Sequence, residues 1–331
     1  MKRVLAFALT SLFLLGACSK CGSTGDSGQA YFPGNGTCED TRALAQHEDF
    51  RVLPFYAALS ASAYDYTLTD KGSLRSAKGP VATTLAAYCK DETASYKPDW
   101  LQEAPQDVYI KPWPPGFGWD VGGLGYQIYA EKLRSGSHRV YLVFRGTDAN
   151  QIGDWFSDFR WVTRVLFFLN DEYDQMQRIL PKRIQNIRRA YGQDVVIEVA
   201  GHSLGGGLAQ LAAYDFPIDN ATGSTSAIKK AYVFDPSPVT GFYSVEHAKR
   251  KANVTGLQTF RVYDHGEVLA YLRWFMKLCY PVAQNDPEIT EVRYNLLKGN
   301  FVKQHDMKDF TCALWKQAGE REMEARPEPR P

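Results

Sequence analysis

Val195-Val196-Ile197-Glu198-Val199-Ala200-Gly201-His202-Ser203-Leu204-Gly205-Gly206-Gly207-Leu208 is the stretch that decides the fold of this 331-residue chain. Its first six residues are mostly β-branched and apolar, the composition of a short strand buried on both faces. The apolar segment Leu208–Tyr214 that follows is suited to a helix. Between them lies Gly-x-Ser-x-Gly. A turn that passes from strand to helix this abruptly needs glycines where backbones approach too closely for a Cβ, and it leaves the serine on the bend. By chance alone such a motif arises in roughly one chain in ten of this length, given ordinary glycine and serine usage. The strand before and the helix after are what make it a candidate nucleophile. The helix that starts there also aims its first amides at the oxyanion formed when Ser203 attacks a carbonyl.

Working outward, strand-like and helix-like segments alternate, the pattern of an α/β fold with a mostly parallel sheet and helices on both faces. Strands are expected at Tyr126–Ala130, Val140–Phe144, Val195–Ala200, Ala231–Phe234, Thr259–Tyr263 and Val292–Leu296. The clearest helix runs from about Glu172 to Tyr191. Tyr173, Met176, Leu180, Ile184, Ile187 and Tyr191 draw one apolar stripe, Gly192 is its stop, and Pro181 is expected to kink or split it. A shorter helix is expected over about Pro54–Tyr64. No internal repeat or linker divides the body, so one catalytic domain is expected over 49–316.

Acyl transfer needs two donors converging on the developing oxyanion. One is expected from the amide of Leu204, after the nucleophile. The other is expected from a loop after an earlier strand, here Arg145-Gly146-Thr147-Asp148 following Val140–Phe144, with Thr147 as the donor. Arg145 itself reads as a structural charge near the sheet end. Triads on such folds run Ser, acid, His along the chain. His247, His265 and His305 all follow Ser203, and Asp235, Asp264 and Glu267 are the acids at strand ends.

The chain's start carries a different kind of information. Lys2 and Arg3 precede an apolar run from Val4 to Leu15, too short to span a bilayer and shaped as an export signal, residues 1–17. Leu15-Gly16-Ala17-Cys18 resembles the lipobox of bacterial lipoproteins, which implies acylation of Cys18 and membrane attachment through a lipid anchor. Ser19 after the cysteine is compatible with outer-membrane sorting in that resemblance. Removing Lys2 and Arg3 leaves 36 basic against 37 acidic side chains, so nothing argues for a nucleic-acid partner. Residues 18–48 read as a flexible tether, glycine- and serine-rich at the start. Residues 317–331, charged and proline-rich at the end, read as a disordered tail. An exported chain permits disulfides. Cys38 with Cys89 and Cys279 with Cys312 are reasonable pairs, with connectivity left open by the sequence. No cysteine or histidine spacing matches a zinc site, and no metal or cofactor is expected.

Phe144-Arg145-Gly146-Thr147 with Asp154-Trp155 after it, then Gly201-His202-Ser203-Leu204-Gly205-Gly206 after an amphipathic helix and strand, resemble the class 3 (fungal-type) lipase family of α/β-hydrolases. Tyr56-Ala57-Ala58-Leu59-Ser60-Ala61-Ser62-Ala63-Tyr64 is similar to that family's first helix, and the likeness runs from roughly Phe50 to His305. It implies an α/β-hydrolase fold and cofactor-free carboxylester hydrolysis of acylglycerols or phospholipids. It also implies that His305, in Gln304-His305-Asp306-Met307, is the catalytic imidazole. Laying the family's acid segment on Arg261-Val262-Tyr263 places Glu267 at the acid. Glu in place of Asp, and Ala270 where proline is usual, depart from the pattern and keep Asp264 as the alternative. Asp235 lies where the family has a Gly-x-Pro turn and reads as structural. The apolar run Trp161–Leu169 falls near the family's lid, and it suits a lid, an acyl-binding wall or a packed helix equally. The aromatic loop 111–119 has no assigned role. A non-lipid esterase, thioesterase or peptidase would share this triad. A surface lipoprotein that only binds acyl chains would not need to keep nucleophile, donors, acid and histidine together.

Overall fold

The structure, a computed structural model, describes residues 28–32, 36–44, 47–64, 89, 107–109, 125–133, 136–146, 161–217, 228–267, 269–270, 273 and 288–325. The export signal with Cys18, the aromatic loop 111–119, Thr147 and the Asp154-Trp155 pair lie outside these residues, as do the side chains of 161–171.

Nine strands form one sheet: β1 (Gln29–Phe32), β2 (Thr37–Asp40), β3 (Asp107–Tyr109), β4 (Tyr126–Lys132), β5 (His138–Phe144), β6 (Val196–His202), β7 (Lys230–Phe234), β8 (Gln258–Asp264) and β9 (Glu288–Tyr294). Their order is β2-β1-β9-β8-β7-β6-β5-β4-β3. The inner five, β5 to β9, are parallel, and the outer strands on both edges pair antiparallel. All six strands expected from the sequence are present. The last of them starts four residues earlier than expected, at Glu288, because Ile289 and the alternating Val292 and Tyr294 are drawn into register with β8.

Helices cover both faces: α1 (Leu53–Ser62), α2 (Trp161–Tyr191), α3 (Leu204–Tyr214), α4 (His247–Val254) and α5 (Met307–Ala325). Alternation along the strands assigns the two cores. Val140, Leu142 and Phe144 of β5 and Ala231 and Val233 of β7 face the core shared with α2, α3 and α4. Tyr141, Val143, Tyr232 and Phe234 face the core shared with α1 and α5. There Tyr56 of α1 stacks on Tyr232 at 3.8 Å between ring centres, and Tyr232 stacks on Phe260. The buried Tyr56 hydroxyl donates to Glu198 of β6, so α1 is tied to the strand that carries Ser203. Burial, reinforced by the Glu198 charge, holds that phenol well above its ordinary pKa, which keeps it a donor.

Four sequence expectations change. The helix expected at 172–191 begins at Trp161 and runs through Pro181 without dividing. Its stripe, Tyr173, Met176, Leu180, Ile184 and Ile187, is buried as the spacing requires. Pro181 sits on the exposed side of the helix, so the carbonyl that a proline leaves unpaired is not sealed in the core. The tether proposed for 18–48 is structured in its second half: β1 pairs β9 with Gln29 opposite Arg293, and β2 pairs β1. Polar, short strands of this kind carry little periodicity and are fixed by the edge they cover. The tail expected from Gln317 is helical to Ala325, since Glu, Arg, Met and Ala sustain a helix already nucleated by Phe310 and Leu314 in the core. Finally, Cys89 is bonded to Cys312 of α5, rather than to Cys38, and Cys38 is itself disulfide-bonded.

Candidate active site

Ser203 stands between β6 and α3 with φ 56° and ψ −126°. Among the described residues only Ser203 and Asp235 are non-glycines with positive φ. Such a conformation costs on the order of 1–3 kcal/mol and persists only where the surroundings over-determine it. They do so here. The Ser203 amide donates to Phe234 O at 3.0 Å, and its carbonyl accepts from Gly206 at 3.0 Å and Ser237 at 2.9 Å. The glycines on either side are obligatory. A Cβ on Gly201 would lie 2.3 Å from the Gly205 carbonyl oxygen, and one on Gly205 would lie 2.2 Å from the Phe144 carbonyl oxygen. The Gly-x-Ser-x-Gly pattern is therefore the space requirement of a helix starting against two strand ends.

Phe144 pairs with Gly201 in the parallel register of β5 and β6, which brings the end of β5 beside the serine turn. A Cβ on Gly146 would lie 3.0 Å from Ser203 Cβ. The Gly146 amide donates to Tyr64 Oη at 3.1 Å, so it is already committed. Leu204 is the first residue of α3, with its amide at the open end of the helix. Arg145 lies over Gly125, where a Cβ would meet Arg145 Nε at 2.9 Å.

His305 and Glu267 come together. His305 Nδ1 is 2.8 Å from Glu267 Oε2. Both residues are buried, at 1% and 0% exposure. Glu267 Oε2 also accepts from the Leu269 amide at 2.8 Å, and Oε1 accepts from Arg273, whose other nitrogen donates to Pro236 O at 2.9 Å. Burial by itself would raise the Glu267 pKa. The Arg273 charge and the His305 hydrogen bond outweigh it and hold the carboxyl below its ordinary value, so it stays ionised. His305 is positioned by the short helical turn Lys303–His305 that leads into α5.

Asp264, the alternative acid, is equally buried, but its oxygens face the backbone, accepting from Leu296 at 2.7 Å and Leu297 at 3.3 Å. Burial pushes its pKa up to about 6. It fixes the segment after β9 and makes no contact with His305 among the described side chains. His247 opens α4 at the surface, and the His265 amide is used at the end of β9, donating to Tyr294 O.

Sequence reasoning missed several members of the site. Tyr64 closes the first helical segment and its hydroxyl lies 2.7 Å from His202 Nδ1. The His202 ring packs 4.6 Å from that of His305. Asp235, with φ 39°, accepts the Asp264 amide on Oδ1 at 3.0 Å. Burial, then repulsion from Glu267, pushes its carboxyl pKa well above the ordinary range. Burial, then His305, holds the His202 imidazole well below its ordinary value and therefore neutral. The one signal that pointed here was Asp235 lying in the segment where the resembling family has a Gly-x-Pro turn.

A parallel sheet whose strand end presents a strained serine, with a buried carboxylate–imidazole pair on loops beyond later strands, is the α/β-hydrolase fold. Residues 115–273 match the family model described as Phospholipase-like: Tle-like phospholipase domain. The fold, the serine turn and this match define a lipase- or phospholipase-like ester hydrolase. Solved structures similar to the chain are a fungal lipase in an inhibitor complex, a Rhizomucor miehei lipase in complex with its propeptide, and M37 lipase. They are 18%, 19% and 15% identical, covering 68%, 69% and 80% of this chain and 74%, 63% and 80% of their own, each with a TM-score of 0.40. No curated protein sequence matches the chain significantly.

Proposed function

We propose that the chain hydrolyses carboxylic esters of acyl lipids through a Ser203–His305–Glu267 triad and an acyl-enzyme. The observation that carries this reading is the buried Glu267–His305 pair with His305 Nε2 unpartnered among the described residues, one ring away from the residue preceding Ser203. With Nδ1 held by a carboxylate, Nε2 is the nitrogen left to take the Ser203 proton as Oγ attacks the ester carbonyl. The carbonyl electrons move to oxygen, where the amides of Leu204 and Thr147 receive the charge. The imidazolium returns its proton to the departing alkoxide, and water then cleaves the acyl-enzyme by the same exchange. The ionised Glu267 stabilises the imidazolium between the two transfers.

An acyl-lipid substrate is supported by the phospholipase-like family match and by the apolar Trp161–Leu169 run after the oxyanion loop. We further propose that Cys18 is acylated and holds the enzyme on a bacterial outer membrane, which sets it beside its substrate.

Ser203→Ala should lower turnover of a short-chain nitrophenyl ester by on the order of a millionfold with unchanged circular dichroism. A fluorophosphonate probe should label the native protein at Ser203 alone. Activity retained in Ser203→Ala would overturn the mechanism. Purified mature protein offered phosphatidylcholine vesicles and triacylglycerol emulsion in separate assays identifies the lipid class, and hydrolysis of neither would remove the lipid reading.

A further inference from the structure

Three buried polar atoms near Ser203 have no hydrogen-bond partner among the described residues: His202 Nε2, His305 Nε2 and Asp235 Oδ2. They belong to residues far apart in sequence, at the ends of β6 and β7 and before α5. One ligand atom from each lies within 4.8 Å of the others, and the three residues are 3%, 1% and 0% exposed. Leaving one such group buried and unsatisfied costs about 1–3 kcal/mol, and one ion held by all three residues would satisfy them together.

The remaining donor or acceptor of each residue is already engaged. His202 Nδ1 is bonded to Tyr64 Oη, His305 Nδ1 to Glu267, and Asp235 Oδ1 to the Asp264 amide. This is the outer arrangement that orients metal ligands, in which a carboxylate or hydroxyl fixes the far nitrogen of a ligating imidazole. Two imidazoles and a carboxylate suit zinc or a similar borderline ion, whereas calcium and magnesium prefer all-oxygen shells. Zinc bonds of about 2.0–2.2 Å draw three ligand atoms to within roughly 3.3–4 Å of one another, close to the spacing found here. The charged groups facing the cluster are Glu267, Asp264 and Arg273, the last engaged by Glu267 and Pro236.

We infer that His202, Asp235 and His305 form a zinc-class metal site whose occupation withdraws His305 Nε2 and switches hydrolysis off. The binding half stands on the geometry alone, and the inhibitory half rests on the proposed triad. An ion on Nε2 leaves no lone pair to receive the Ser203 proton.

The test uses mature protein with its disulfides intact, stripped with a chelator and titrated with Co2+, whose tetrahedral complexes absorb in the visible. One equivalent should develop that spectrum, and Zn2+ should displace it. Asp235→Asn and His202→Gln should each weaken binding by at least about tenfold. In parallel, Zn2+ should abolish nitrophenyl-ester hydrolysis by the wild type, and chelator should restore it. No cobalt spectrum and no retained zinc in the wild type would overturn the inference, as would unchanged affinity in both variants. Bound zinc with undiminished turnover would overturn its link to His305. A protein inactive even after chelation would instead count against the proposed triad, with the spectrum still deciding the metal site.

Discussion

At the residue scale, the acids at the end of β8 show how burial divides the roles of similar groups. Glu267 and Asp264 are three positions apart and both fully buried, yet one faces an imidazole and a guanidinium while the other faces backbone amides. Their titrations differ in sign. Glu267 has a depressed pKa, so it contributes stability above about pH 4.5 that is lost as pH falls through the folded value. Asp264 is raised to about 6, so its contribution is present below the unfolded value of 3.8 and lost as pH rises through 6. In chelator, Glu267→Gln should flatten the acid limb of the stability profile and lower turnover by on the order of 10³–10⁴-fold. Asp264→Asn should remove the decline near pH 6 and change turnover less than about tenfold. Denaturant unfolding across pH, with ester assays at neutral pH, measures both. Equal mild drops in turnover would remove Glu267 from the proposed triad.

At the element scale, the serine turn is built by the crossing of β5, β6 and α3, and its glycines are set by space. Gly205 sits against the Phe144 carbonyl, a backbone atom that has nowhere to move inside a parallel sheet. Gly205→Ala should therefore cost at least about 3 kcal/mol and misplace Ser203, seen as lost fluorophosphonate labelling together with a lowered unfolding midpoint. Unchanged stability would mean that β5 and α3 are farther apart than described. The six inner and neighbouring strands were legible from β-branched runs because burial on both faces demands continuous apolar sequence. The edge strands β1, β2 and β3 were not, since their pairing is decided by the neighbour they cover. The continuity of α2 through Pro181 was missed for a related reason: a proline breaks a helix in isolation, but packing of the stripe on the sheet overrides it.

At the scale of the whole molecule, two long-range ties hold the site's layers together. Cys89–Cys312 closes a separation of 223 residues and fastens α5, which follows His305 directly. Cys312→Ser should lower stability by about 2–5 kcal/mol, and because α5 packs on α1 in the same core, it should weaken labelling at Ser203 on mild heating before global unfolding. Labelling and unfolding that remain coincident would show that the bond does not support the site. The N-terminal strands form the second tie. A chain beginning at residue 45 lacks β1 and β2 and leaves the β9 edge unpaired, so it should aggregate where a chain beginning at residue 28 stays soluble. Light scattering during refolding separates the two, and equal solubility would make these strands dispensable.

The sequence by itself determined the class of fold, the serine turn and the helix stripe, because each is a local pattern: periodicity, glycine spacing and chain order. It also brought Glu267 and His305 forward, though only through resemblance, with Asp264 left beside them. Tertiary structure alone decided which carboxylate meets the imidazole, which cysteines join, and that His202, Asp235 and His305 converge. Those facts depend on distances between strand ends that lie tens of residues apart, and no local pattern encodes a distance of that kind.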